Sequence, residues 1–183
     1  MPVSEKTYRQ VALEDPDGQW ELACGRLRSK PGMTVEHEDT GTRLARELVL
    51  QLGRREFDVR IDGPRLRVST GSSYLPDLSV VPRVFVDQKR REEPRRLEVY
   101  EQPMPLVVEV WSPSSGDYDV EDKLREYQRR GDLEIWRLHP YEKTLTRWLR
   151  QPNGGYQESL IRSGGVEPVG LPSVSIELDT LFE

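Results

Sequence analysis

The chain has 183 residues, 32% of them charged and 35% hydrophobic, with a net charge of −5. No apolar run approaches the ~20 residues of a membrane span and none opens the chain as a secretory signal would, so the expectation is a soluble, cytoplasmic protein of one domain over residues 1–183. One cysteine, Cys24, and two histidines, His37 and His139, exclude an intrachain disulfide and a cysteine-based zinc site, and leave almost no material for a His-rich metal site or a Ser-His-Asp triad.

In chain order, Ser4 followed by Glu5 through Leu13 predicts a short helix with Ser4 as N-cap, broken by Asp15-Pro16-Asp17-Gly18. Trp20–Cys24 and Arg26–Arg28 predict two short strands around Gly25, with Cys24 a small core residue. Pro31-Gly32 turns the chain. Glu36 to Leu52 is the clearest helix, with Leu44, Leu48 and Leu52 on one stripe. After Gly53 the period changes to two. Phe57, Val59 and Ile61 alternate with charges, Asp62-Gly63-Pro64 turns, and Leu66 and Val68 continue in a second strand. A third strand is expected over Tyr74 to Val81, with Pro76 at its start or at a bulge, and the charged stretch 87–101 reads as an excursion. Pro105 to Trp111 is apolar on both faces, as a central strand is. A charged helix over Asp119 to Arg130, a strand over Leu133 to Leu138, and a hairpin of Thr144–Leu149 and Tyr156–Ile161 around Asn153-Gly154-Gly155 complete an α/β pattern without repeats.

The global acidity hides a local reversal. Residues 43–67 carry 7 basic and 4 acidic side chains, and the run from Lys89 to Arg96 adds five cations and two anions in eight residues. Such a run reads as a solvated loop or as a phosphate-contacting patch, because a polyanion responds to local potential. Of the 27 cations 22 are arginine, suited both to bidentate phosphate contacts and to surface ion-pair networks.

The chemistry centres on Glu109. A carboxylate inside Leu-Val-Val-Glu-Val-Trp is costly to bury unless it is paired, protonated or metal-bound. Asp77 follows Pro76, and Lys123 stands on the helix after Glu109 with Asp119 at i−4, a spacing that also makes an ordinary surface ion pair. Two carboxylates on adjoining strands can share one Mg²⁺ or Mn²⁺, with phosphate oxygen and water completing its shell, while a nearby ammonium orients water or stabilises developing charge. Those are the parts of phosphodiester hydrolysis.

Pro76-Asp77, then Val107-Val108-Glu109-Val110-Trp111-Ser112-Pro113-Ser114-Ser115, then Asp119 through Lys123 to Tyr127 resemble the PD-(D/E)xK, or restriction-endonuclease-like, nuclease superfamily. Within it the chain is similar to a bacterial restriction-endonuclease family, formerly a domain of unknown function, in which V-V-E-V-x-S-P-S precedes D-x-x-x-K-x-x-x-Y. Gly131 to Pro140 and Trp20-Glu21-Leu22 resemble further segments of that family, and His37 sits where it often has a histidine before its long helix. The resemblance implies a restriction-endonuclease-like core, a mixed central β-sheet flanked by helices. It implies that Asp77 and Glu109 bind the metal, that Lys123 is the catalytic lysine and that Glu21 matches an acidic residue near the metal. It implies a nucleic-acid partner, DNA first, and a homodimer, for which the Trp148–Leu149 hairpin is one candidate interface. Departures are Trp111 at the usual lysine position, with Lys123 14 residues after Glu109; Ala23-Cys24-Gly25-Arg26 in place of I-D-G-E; and His139-Pro140 in place of Asp-Pro.

The expected function is therefore a divalent-metal-dependent endonuclease. A catalytically inactive nucleic-acid-binding or assembly protein on the same fold is the alternative, and an enzyme acting on a smaller phosphoester is a third reading. Tyr127, four residues after Lys123, either packs over the site or is a core aromatic. Trp111, Trp136 and Trp148 read as core or interface, and Ser112–Ser115 as the turn into the helix.

Overall fold

The computed structural model describes residues 2–15, 18–69, 71–114 and 116–183, with the main chain alone at 69 and 116–120. In chain order its elements are α1 (Glu5–Glu14), β1 (Trp20–Ala23), β2 (Arg26–Ser29), α2 (Val35–Gln51), β3 (Phe57–Ile61), β4 (Arg65–Ser69), β5 (Ser72–Tyr74), β6 (Leu78–Pro82), α3 (Arg83–Glu92), β7 (Val99–Tyr100), β8 (Leu106–Val110), α4 (Gly116–Arg130), β9 (Glu134–His139), β10 (Thr144–Arg150), β11 (Tyr156–Ile161), β12 (Gly165–Val166), β13 (Ile176–Glu177) and α5 (Leu178–Leu181). Among the described residues no helix is long and apolar enough to cross a membrane.

Six strands form a mixed sheet in the order β11-β10-β9-β8-β6-β3, in which only β8 and β9 run parallel. The helix α4 supplies the long crossover that a parallel pair requires. A second sheet has the order β2-β1-β5-β4-β7, and β12 pairs with β13. The central strand β8 is buried at every position, and its alternation sorts its side chains between two cores. Leu106, Val108 and Val110 join Leu44 and Leu48 of α2 on one face. Val107 meets Tyr127 of α4, Ile135, Trp148 and, from the second sheet, Leu66 and Tyr74 on the other. A third cluster packs Tyr8 and Ala12 of α1 on Leu22 and Val99.

Ser4 caps α1 by accepting from the Thr7 N–H, and Thr34 caps α2 through the His37 N–H. Between the strands of the first hairpin, Cys24 and Gly25 both have positive φ, 48° and 74°, the requirement of a two-residue primed turn. That turn leaves Cys24 exposed, correcting its expected place in the core.

Two further expectations are corrected. The strand expected over Tyr74 to Val81 is two strands in different sheets: β5 ends at Tyr74 and β6 starts at Leu78. Proline 76 has no N–H to continue a ladder, so Leu75, Pro76 and Asp77 carry the chain from one sheet to the other. Most of the stretch read as an excursion is the end of α3 and the strand β7. Only Val86 of that helix is buried, so its sequence carries almost no apolar stripe. Pro16, Asp17 and Ser115 lie outside the described residues.

The two sheets are clamped by Arg130, at the end of α4, with its side chain 1% exposed. Its guanidinium donates to the carbonyls of Arg67, Tyr100 and Gln102 and to the carboxylate of Asp132, whose Oδ1 also accepts from the Met104 N–H. Trp148, named above as part of a candidate interface, is buried within its own chain, with Nε1 donating to Glu158.

Candidate active site

Antiparallel pairing of Leu78 with Val108 carries Asp77, one residue before β6, across from Glu109 on β8. Facing residues of a ladder share a face of the sheet, and this face looks toward α4 and the second sheet. From α4, Lys123 reaches in: its Nζ lies 2.9 Å from Glu21 Oε1 and 3.4 Å from Glu109 Oε2. Glu21, on β1, also accepts the Leu75 N–H at 2.8 Å, which ties the crossing between sheets to the same carboxylate. Thus the four residues singled out in the sequence, Glu21, Asp77, Glu109 and Lys123, line one cleft and are all less than 9% exposed. The side chain of Asp119 lies outside the described residues. Lys123 is engaged by the two glutamates, and a 14-residue separation along the chain becomes a contact.

Two more side chains belong to the cleft. His37, in the first turn of α2, places Nε2 3.2 Å from Asp77 Oδ2. Lys30, from the loop between β2 and α2, donates to Asp77 Oδ1 at 2.6 Å and to Asp62 Oδ1 at 2.8 Å, with its side chain 5% exposed. Sequence reasoning missed Lys30. The available signal was residue choice: in a chain whose cations are overwhelmingly arginine, both buried cations of the cleft are the compact ammonium. Tyr127 is a fully buried core aromatic, and its hydroxyl donates to Glu109 Oε1 at 2.6 Å.

The buried charges do not balance. Three buried carboxylates, Glu21, Asp77 and Glu109, face the two ammoniums of Lys30 and Lys123. Burial works to raise the Asp77 carboxyl, but Lys30 and His37 outweigh it and hold it well below the carboxylate range. The Val110 N–H, donating to Oδ2 at 2.6 Å, acts in the same direction. Glu109 goes the other way. Burial dominates and the neighbouring Asp77 charge adds to it, so despite Lys123 its carboxyl is pushed up to about 7. Burial alone would lower Lys123, yet Glu109, Glu21 and Asp77 reverse this and raise it. It is a fixed positive charge and not a base. Other buried acids in the fold are spent structurally: Glu134 accepts from Trp136 and the Val169 N–H and forms an ion pair with Arg147, and Asp132 accepts from Arg130 and the Met104 N–H.

All anionic donors here are carboxylate oxygens, the donor set of a hard cation. Among the described residues no three His, Cys, Asp or Glu side chains lie close enough together to hold a metal as they stand; Lys123 sits between Glu21 and Glu109, and Lys30 between Asp77 and Asp62. A cation such as Mg²⁺ is commonly bound through one or two carboxylates with water and substrate phosphate filling its shell. The pair Asp77 and Glu109 fits that demand.

At the cleft mouth, Ser114 Oγ donates to the Gly32 carbonyl and pairs with Ser112 Oγ at 2.8 Å. This joins the turn after β8 to the loop carrying Lys30. Beyond it Trp111, half-buried, stacks on His139 with ring centroids 4.3 Å apart, and Tyr141 meets both rings edge-on. Trp136 is fully buried.

No match was found among curated proteins. Among solved structures, the fold is that of a protein described as "a putative nuclease belonging to DUF820" from Anabaena variabilis ATCC 29413, with a TM-score of 0.75, 17% sequence identity and 89% of each chain covered. The model of the Uma2 family, described as "Putative restriction endonuclease", matches residues 6–180. With nearly its whole length spanned by that match, and its α/β core and cleft as described, the chain belongs to the Uma2 family of restriction-endonuclease-like proteins.

Proposed function

We propose that this protein is a divalent-metal-dependent endonuclease that hydrolyses phosphodiester bonds of nucleic acid, DNA in the first instance, and that it works as one domain. The observation that carries the reading is the convergence of Asp77, Glu109, Lys123 and Glu21, from four separate segments of the chain, on one cleft. Asp77 and Glu109 would hold Mg²⁺ or Mn²⁺. The ion, when bound, supplies Lewis-acid neutralisation of phosphate charge and a more acidic water.

The protein's own groups do the rest. The main chain of β8 fixes Asp77 through the Val110 N–H, and His37 fixes the same oxygen from α2. Lys123, kept protonated by the carboxylates around it, places a positive charge beside Glu109 and orients water or stabilises charge developing on the phosphate. Glu21 positions Lys123 and is itself anchored to the main chain at Leu75.

A groove elsewhere on the surface supports a polyanionic partner. Arg60, Lys89, Arg90, Arg95 and Arg96 line it with Glu93 and Glu98, an excess of three positive charges in a chain of net charge −5. A backbone of phosphates is attracted by such a local excess whatever the total charge.

The test is cleavage of double- and single-stranded DNA and of RNA with Mg²⁺ or Mn²⁺, by the wild type and by Asp77→Asn, Glu109→Gln and Lys123→Met. Each variant is expected to lose at least about a hundredfold in rate while keeping its circular dichroism. Undiminished cleavage by the Asp77 or Glu109 variant would sink the proposal, and nucleic-acid binding without cleavage by the wild type would favour a binding protein.

A further inference from the structure

The Asp77 carboxylate has both oxygens engaged, and the three donors differ in how easily they can leave. The Val110 N–H belongs to the central strand of the larger sheet and cannot withdraw from Oδ2 without breaking that strand's end. His37 is buried in the capped first turn of α2. Lys30 alone comes from a loop, between β2 and α2, on a side chain of four rotatable carbons. It alone also has a second partner: Asp62, 24% exposed at the turn after β3, accepts from the same ammonium at 2.8 Å. Asp62 stands at φ 43°, a left-handed conformation that Asp and Asn tolerate better than other residues with a side chain, and its N–H donates to the Asp77 carbonyl. The second acceptor is thus held at a fixed offset from the first.

We infer that Lys30 and the divalent cation compete for Asp77, so that the cleft takes up metal by displacing the Lys30 ammonium onto Asp62. The inference rests on the metal-dependent reading above and adds a positioning residue to it. Lys30 supplies the positive charge that lets Asp77 stay ionised and buried; a divalent ion supplies the same compensation with more charge. The two cannot share Oδ1 at a 2.6 Å contact, and Asp62 gives the displaced ammonium an acceptor at no more than a side-chain rotation.

A manganese titration by calorimetry on the wild type, Lys30→Met and Asp77→Asn, together with amine labelling of the wild type read by peptide mass spectrometry, tests this. Removing the competitor is expected to tighten Mn²⁺ binding by about 10- to 100-fold, the worth of one charge-assisted hydrogen bond. Adding Mn²⁺ to the wild type is expected to speed labelling of Lys30 severalfold while leaving that of Lys123 unchanged. Equal or weaker binding by Lys30→Met overturns the inference. So does tighter binding without faster labelling, because that is removal of a nearby charge and not displacement. If Lys30→Met does not fold, the labelling of the wild type decides alone. Manganese bound by the wild type and lost in Asp77→Asn, with Lys30 labelling unmoved, leaves the metal-dependent reading standing and removes only this inference. No binding by any of the three proteins overturns both.

Discussion

Asp77, one residue before β6, and Glu109 on β8 line the same cleft, yet their acidities move in opposite directions. Asp77 is held down by Lys30, His37 and a main-chain N–H, whereas Glu109 is pushed up to about 7 by burial and by Asp77 itself. One of the two is a fixed anion; the other exchanges its proton at neutral pH.

Stability should therefore fall as pH rises from 4.5 to about 7. Folded Glu109 keeps a proton between its ordinary value of 4.5 and about 7, whereas the unfolded chain has released it, so each step up in pH across that window favours unfolding. The full effect is about 3 kcal/mol, lost between pH 4.5 and 7. Asp77 acts with the opposite sign and only in acid, its contribution disappearing as pH falls below the ordinary carboxylate range. Urea unfolding at pH 5 and pH 8 checks this: the wild type is expected to be less stable at pH 8, and Glu109→Gln to lose most of the difference.

Tyr127→Phe removes the hydroxyl that donates to Glu109. The expected cost is about 1–2 kcal/mol, and because that bond favours the ionised carboxylate, the loss of stability moves to higher pH. A pH series of melting curves on this variant reads both effects, and an unshifted profile would contradict the proposed link between Tyr127 and Glu109.

Arg130→Met keeps much of the side-chain volume but strands Asp132 and three carbonyls in the interior. A loss of about 3–5 kcal/mol is expected, with cleft residues otherwise untouched. Chemical denaturation measures it. A loss below 1 kcal/mol would mean that the clamp between the sheets is dispensable.

Arg95→Glu with Arg96→Glu inverts two exposed charges of the basic groove. Affinity for duplex DNA is expected to fall, and the slope of log K against log salt to shrink by about 1–2, with Mn²⁺ affinity unchanged. Unaltered salt dependence would assign the groove to something other than nucleic acid.

Period and spacing explain what was legible beforehand. The stripe Leu44–Leu48 on α2 and the continuous apolar run of β8 are local patterns, and both elements lie where those patterns put them. Glu109 was conspicuous because it interrupts such a run. Lys30 sits in Ser-Lys-Pro-Gly, with no period to violate, and its partner Asp77 is 47 positions away; only the fold reveals it. The α3 helix was hidden because one buried valine holds it, and the break at Pro76 because Leu75 and Leu78 on either side both read as strand.

The clamp on Glu21 has a consequence for how the molecule comes together. Its carboxylate joins Leu75, 54 positions on, and then Lys123, farther still, while Asp77 waits for Val110, 33 positions later. Contacts of such separation demand costly loop closures before they reward the chain, which slows folding. Closing the cleft therefore depends on contacts between segments far apart along the chain. A nascent chain that has not yet produced α4 already carries Glu21, Asp77 and Glu109 but lacks Lys123, so until that helix emerges two of the acids are without the ammonium that they share.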